Sequence, residues 1–263
     1  MAQDITSVQN PRVKQWTELL VKRGRDRQGK FLLEGVHLVE EALRSGIAVE
    51  TILYSLDKGL PKEVESRLTS AEEVIGVSQA VLAKCSDTQT PQGVLGIAAK
   101  PDAPRTDSLT GRDALVVAVD GIQDPGNLGT IIRTADAAGA TAVILGRGTV
   151  DVYNPKTIRS TMGSLFHLPV VEADLPELLA EAGKAGVQVL STGMQAEDTC
   201  YTADLTQATW FVIGNEGSGV SSEAEAHVSR RISIPMRGRA ESLNAAMAAG
   251  IVLYEAMRQR HYK

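Results

Sequence analysis

Five polar residues in three separated stretches carry the chemistry open to this sequence. Asn127 and Arg133 lie in DGIQDPGNLGTIIRTADAAG (residues 120–139), Glu216 in NEGSGVS (215–221), and Ser242 and Asn244 in SLN, ahead of an alanine-rich run. An arginine and an asparagine beside a glycine-rich turn suit phosphate and ribose, since a guanidinium fork grips anions and an amide bonds hydroxyls. Arg133, one turn into the helix after that loop, is expected to face the same mouth as Asn127. Glu216 sits in a glycine-bearing loop with no adjacent Lys or Arg, which suits a contacting group better than a surface filler. Ser242 and Asn244 open a helix, and N-capping accounts for one of them but not easily for both.

The positioning elements follow from local patterns. ALVVAVD (114–120) is a buried strand by its valine content and length. A loop rich in glycine follows, and Ile131, Ile132, Ala135 and Ala138 then recur at helical spacing. Strand, glycine-rich loop and helix can bring backbone N–H groups against an anionic or polar ligand. Any α/β turn also uses glycines, and the loop is neither GxGxxG nor GxxxxGK[ST], so dinucleotide and P-loop readings lack support. Three later strand ends offer similar chemistry: Thr192-Gly193, Gly214-Asn215-Glu216-Gly217, and Pro235-Met236 running into Ser242-Leu243-Asn244. In open α/β sheets, ligands bind beyond the carboxyl ends of the strands.

The chain divides into a compact α/β unit over 1–100, a Pro- and Gly-bearing linker over 101–112, and a larger unit over 113–263. The first is read as a helix over 10–24, a basic loop punctuated by Gly24 and Gly29, and alternating short strands and helices. The second alternates β and α throughout, which implies a mostly parallel sheet. It includes a helix over 154–164, and its last helix is expected over 242–260. A fragment beginning near Asp113 is expected to fold alone.

Composition narrows the class. At 263 residues, with 43% hydrophobic and 22% charged residues, the chain is an ordinary globular protein. No apolar run is long enough for a membrane span, and the N-terminus lacks the apolar core of a signal peptide. Cys85 and Cys200 stand far apart, which suits a reducing cytoplasm, and the four histidines are scattered, so no metal is expected. The net charge of −5 hides two basic windows, 10–30 and 229–263, each with seven bases against two acids. Such windows are either solvated helix faces or an electrostatic footprint for RNA. In the first, Arg23, Arg25, Arg27 and Lys30 are candidate phosphate contacts, as is Arg159 in the second unit.

Taken together, residues 120–139, 211–221 and 231–255 match one pattern, in order and at ordinary spacing. The chain resembles the SpoU/TrmH family of RNA 2′-O-ribose methyltransferases in the SPOUT superfamily, of the rRNA-directed type with an N-terminal substrate-binding domain. NPKTIRSTMGSLFHLPV (154–170) and FLLEGVHLVEEAL (31–43) extend the likeness over nearly the whole chain. One departure is at Ala245–Met247, where many members carry a more polar or β-branched run, a difference expected to affect packing.

The resemblance implies a parallel sheet whose C-terminal part forms a trefoil knot, a homodimer with each site near the subunit interface, and S-adenosylmethionine as cofactor. It implies that Thr192, Gly193, Ile213, Gly214, Asn215, Ile234, Met236 and Leu243 hold the cofactor, largely through backbone. It also implies that Asn127, Arg133, Glu216, Ser242 and Asn244 are the catalytic set, acting on a ribose 2′-hydroxyl, with 23S rRNA favoured. Arg133 is the family's proposed base, yet arginine stays protonated in proteins. Its alternative role is to hold the adjacent phosphate and stabilise alkoxide charge, which leaves the proton acceptor open. A tRNA methyltransferase, a non-catalytic RNA-binding module and a Rossmann-type oxidoreductase are the rival readings.

Overall fold

The computed structural model describes residues 4–102, 109–193, 196 and 198–262. Residues 103–108 of the expected linker lie outside the described residues.

Helix α1 (Pro11–Glu18) begins where the Asn10 side chain accepts the Arg12 N–H and Pro11 fills the first helical position. It buries Val13 and Trp16. The helix expected over 10–24 stops there, and the expected basic loop is a second helix, α2 (Lys22–Gln28). Gly24 permits the close turn between them, because a Cβ there would stand 1.9 Å from the Glu18 carbonyl oxygen. There follow β1 (Lys30–Glu34), α3 (Val36–Arg44), β2 (Val49–Ser55), α4 (Lys62–Glu65), β3 (Glu73–Val77), α5 (Gln79–Cys85) and β4 (Val94–Ala99). The four strands form a mixed sheet in the order β1-β4-β2-β3, in which β4 runs antiparallel to both neighbours.

Strand β5 (Leu115–Asp120) is buried from Leu115 to Val119, the continuous apolar run of a strand covered on both faces. Helix α6 (Pro125–Ala137) starts earlier than the apolar spacing suggests. Asp124 caps it by accepting the Asn127 N–H, and Pro125 preorganises its first turn. Asn127 thus lies in a helix and not in a glycine-rich loop. Next come β6 (Ala142–Leu145), α7 (Pro155–Thr161), β7 (Val170–Glu172), α8 (Leu175–Lys184), β8 (Gln188–Thr192) and β9 (Asp198–Thr199). The described chain closes with β10 (Thr209–Gly214), α9 (Ser222–Glu225), β11 (Arg230–Ser233) and α10 (Ala245–His261). The seven strands run in the order β7-β6-β5-β10-β8-β11-β9, and every pairing is parallel.

By packing, the described chain falls into two units. One holds residues up to Asp102 together with Asp151–His167, and the other holds the rest. Segment 151–167, expected in the C-terminal domain, therefore belongs with the first unit. Ile158 is buried in one apolar cluster with Phe31, Leu33, Leu38 and Val39, and Tyr153, Leu165 and Phe166 pack against it. Asp151 binds Arg25 at 2.6 Å, and the His167 ring nitrogen lies 2.8 Å from Glu41. A fragment from Asp113 onward would strip this segment of its apolar partners.

Candidate active site

A cavity of about 500 Å³ opens at the carboxyl ends of β8, β10 and β11, within the second unit. It gathers all eight residues expected around a cofactor: Thr192 and Gly193 after β8, Ile213, Gly214 and Asn215 at the end of β10, Ile234 and Met236 after β11, and Leu243 before α10. Stretches separated by tens of residues meet because β10 lies between β5 and β8, and β11 adds beyond β8. Among the described residues, the only ionisable side chains lining the cavity are Glu216 and Glu241.

The loop after β10 is shaped by its own residues. A Cβ on Gly214 would stand 2.2 Å from the Gly219 carbonyl carbon and 2.3 Å from the Val220 nitrogen, so only glycine allows the loop to fold back. Asn215 and Gly219 exchange backbone hydrogen bonds at 2.9 and 3.0 Å. The Asn215 side chain accepts the N–H groups of Gly217 and Ser218 and donates to the Gly121 carbonyl at 2.7 Å. The Asp120 carboxylate accepts the Ser221 N–H at 2.7 Å, which closes the far end of the loop.

Glu216 occupies the place where the sequence suggests an anionic ligand. Its carboxylate accepts the Gln123 and Asp124 N–H groups, each at 3.2 Å, and the Asn127 amide at 2.9 Å. The positive end of α6 is thus met by the protein's own carboxylate. Burial pushes the Glu216 carboxyl up, but the donated N–H groups of Asn127, Gln123 and Asp124 outweigh it, and its pKa lies below the usual glutamate value. It is an ionised brace and a poor proton acceptor near neutral pH.

The network continues through two asparagines. Asn127 accepts from the Asn244 amide at 2.9 Å. The Asn244 oxygen in turn accepts the Ala246 and Met247 N–H groups, as the N-cap of α10. The Asn127–Asn244 bond therefore links the N-termini of α6 and α10, and Glu216 on one side and the α10 N–H groups on the other fix which way both amides point. The last helix starts at Ala245 and not at Ser242, so Ser242 lines the cavity from an exposed loop and caps nothing.

Arg133 stands apart from the other four. Six residues separate it from Asn127, which in a helix means about 9 Å of rise and a face about 120° away. It is exposed on α6 and does not line the cavity, so the expected common mouth with Asn127 is not formed within this chain. Sequence reading missed Gly219, Val220, Glu241, Ala245 and Ala248 as lining residues. The one available signal for Glu241 was its place directly before Ser242.

The comparisons with known proteins bear on this geometry. Residues 114–254 match the model of the SpoU rRNA Methylase family. The chain belongs to that family. Residues 10–96 match the MRM3-like substrate binding domain. The chain is 39% identical over 250 residues to the 23S rRNA (guanosine(2553)-2'-O)-methyltransferase RlmP of Bacillus subtilis, covering 95% of this chain and 97% of the relative. The crystal structure of the SpoU methyltransferase AviRb from Streptomyces viridochromogenes with AdoMet superposes with a TM-score of 0.88 at 36% identity, covering 97% and 99% of the two chains. An AdoMet-bound rRNA methyltransferase from Sinorhizobium meliloti gives 0.88 at 35% identity, covering 100% and 99%.

For a SpoU-family chain, the five cations expected to meet RNA have four different fates. Arg25 is 2% exposed, ion-paired to Asp151 and bonded to the Leu19 carbonyl, so it is a structural residue that cannot reach a phosphate. Arg159 binds Glu34 at 3.1 Å and Asp87 at 2.9 Å, which ties α7 to β1 and to the loop after α5. Arg27 pairs with Glu18, and Lys30 with Glu50 at 2.5 Å, both at the surface, where such pairs exchange readily. Arg23 is exposed, with no ion pair among the described residues.

Proposed function

We propose that this protein transfers a methyl group from S-adenosylmethionine to a ribose 2′-hydroxyl of 23S rRNA. The observation that carries the reading is the convergence, in one cavity, of strand ends and a helix start from three distant stretches, with only carboxylates charged inside it. A volume of about 500 Å³ is ordinary for a cofactor of this size. The acidic lining suits a sulfonium centre and disfavours a pyrophosphate-bearing dinucleotide. Ile213, Ile234, Met236 and Leu243 supply apolar surface for an adenine ring, and the Gly214–Asn215 backbone supplies polar contacts. When bound, the cofactor supplies an electrophilic methyl.

The chain's own residues then do the positioning. Glu216 holds the α6 start, Asn127 and Asn244 hold each other, and Ser242 is left free at the mouth to meet the ribose. In-line transfer depends on such fixed geometry. The relative named for 23S rRNA, and the substrate-binding domain model matched by residues 10–96, support rRNA over tRNA as the substrate.

We further propose a homodimer. Met247 and Tyr254 lie two turns apart on α10, 56% and 47% exposed, an apolar face that a second copy would cover. Arg133 is exposed on α6, which packs against α10, so a second copy is the means by which it would serve a cavity. The strand order with β10 returning between β5 and β8 supports a knotted C-terminal unit. Among the described residues no helix is long and apolar enough to cross a membrane, and Cys85 and Cys200 are buried and unpaired, which supports a cytoplasmic setting.

Calorimetry with S-adenosylmethionine and NAD, each with a chelator present, tests the cofactor. Transfer of labelled methyl to rRNA, with tRNA as comparison, tests the reaction. Binding of NAD alone, or cofactor binding without transfer to any RNA, would overturn the reading. Light scattering that showed only monomer at micromolar concentration would remove the dimer.

A further inference from the structure

We infer that Arg237 and Arg239 form a phosphate clamp on the cavity rim, gripping RNA backbone beside the target ribose. The loop between β11 and α10 builds one wall of the cavity through Ile234, Met236, Glu241 and Ser242. Arg237 directly follows Met236, and Arg239 stands two residues before Glu241. Consecutive Cα atoms are about 3.8 Å apart, so neither arginine leaves the rim. Both are exposed, and neither makes a hydrogen bond or ion pair among the described residues. A Cβ at Gly238, between them, would meet nothing within 4 Å, so the outer face of the loop is open.

The other described arginines of the C-terminal basic window are occupied. Arg230 binds Asp198 at 2.9 Å, Arg231 binds Glu225 at 2.5 Å, and Arg258 binds Glu255 at 2.8 Å. Arg260 donates to the carbonyls of Leu205, Asp113, Ala114 and Gln207, which pins the end of α10. The positive charge left free in this window sits where the cavity meets solvent. Acid within and base at the rim matches a cationic methyl donor inside and a polyanion outside. Guanidinium is the group best shaped for phosphate.

The inference rests on the RNA reading above, and the test separates the two. Wild type, Arg237→Gln, Arg239→Gln, the double Gln variant and the double Lys variant are compared, with Lys184→Gln as a remote control. Binding to a 23S rRNA transcript is measured against salt, cofactor binding by calorimetry, and kcat and KM by methyl transfer.

Each lost arginine should lower the salt slope by ~0.7 on single-stranded RNA, and the pair by ~1.4. The double Gln variant should raise the RNA KM about tenfold while kcat falls no more than about twofold and cofactor affinity holds. Lysine should keep most of the slope, and the control should match wild type. An unchanged slope and KM in the double Gln variant would overturn the clamp, as would a parallel loss of cofactor affinity. If wild type transfers no methyl to rRNA, the function fails, and the binding slopes still decide the clamp.

Discussion

Residues 22–30 and 230–239 are both rich in arginine, and they use it in opposite ways. In the first stretch, Arg25 is sealed in a buried ion pair, and Lys22, Arg27 and Lys30 lean on Asp26, Glu18 and Glu50. In the second, Arg230 and Arg231 brace an edge of the sheet, while Arg237 and Arg239 lie exposed in the loop before α10 with no ion pair among the described residues. A count of charge does not separate these cases, since each wider window has seven bases against two acids. What separates them is where the acids fold. The first unit sets Asp26 of the helix itself, Glu18 of α1 and the distant Asp151 against its basic helix, whereas the second commits Glu216 to a helix N-terminus.

The largest effect should come from breaking the buried pair. Arg25 and Asp151 are 2% and 6% exposed, so Asp151→Ala leaves a guanidinium in the core with one carbonyl partner. A loss of about 3–5 kcal/mol is expected from urea denaturation, because an uncompensated buried charge is costly. A loss below about 1 kcal/mol, the range of exposed pairs, would place Arg25 back among the surface cations and erase the contrast.

Glu216→Ala tests the other half of the comparison. It removes the acceptor for two backbone N–H groups and for the Asn127 amide, and with it the contact that orients Asn127 for its bond to Asn244. Methyl transfer should fall about 100-fold or more, as small misplacements of reacting groups do. The urea midpoint should move much less than in Asp151→Ala. Glu216→Gln, which keeps one acceptor oxygen, should recover part of the rate. Equal loss of stability in Glu216→Ala and Asp151→Ala would make Glu216 another structural carboxylate.

Acid should loosen the first unit through Glu41. Burial pushes this carboxyl up, but the hydrogen bonds from Arg44 and His167 dominate, and its pKa falls from 4.5 to about 2. A carboxylate with a depressed pKa in the folded state stabilises fully above its unfolded value and loses that contribution as pH falls through the folded one. Stability should therefore decline between about pH 5 and pH 2, and Glu41→Gln should flatten that decline. Because His167 belongs to segment 151–167, hydrogen exchange in that segment should rise first. An acid profile identical in Glu41→Gln would show that other groups govern it.

The sequence made much of the site legible and less of the first unit. The strand ends at Thr192, Gly214 and Met236 were visible because glycines and β-branched runs are local signals. Their convergence was visible only through the family resemblance, since no spacing shows that β10 inserts beside β5. Helix α2 was hidden because KRGRDRQ has glycine and aspartate inside it and no apolar stripe. Its helix depends on Gly24 lying close against the Glu18 carbonyl, an approach that a Cβ would block. The home of segment 151–167 was hidden because position in the chain does not reveal which core Ile158 enters. Asn244 carried an N-cap signal, and the structure shows that the cap and the bond to Asn127 share one side chain.

The smallest effect, and the finest test of the comparison, lies in the single substitutions Arg23→Gln, Arg25→Gln and Arg27→Gln. Sequence alone treats these residues as one basic run, and the structure assigns them different surroundings. Arg23 is exposed and free of ion pairs among the described residues, so it alone can meet a phosphate without giving up a partner. Arg23→Gln should reduce the salt slope of rRNA binding by ~0.7–0.9 with stability unchanged. Arg27 must leave Glu18 to reach RNA, and its exposed pair is worth only about 0.2–1 kcal/mol, so its slope change should be smaller and its stability change slight. Arg25→Gln should lower stability and leave the slope of the remaining folded protein untouched. If all three variants shifted the slope equally, α2 would have to come apart on binding RNA, because Arg25 has no other route to a phosphate.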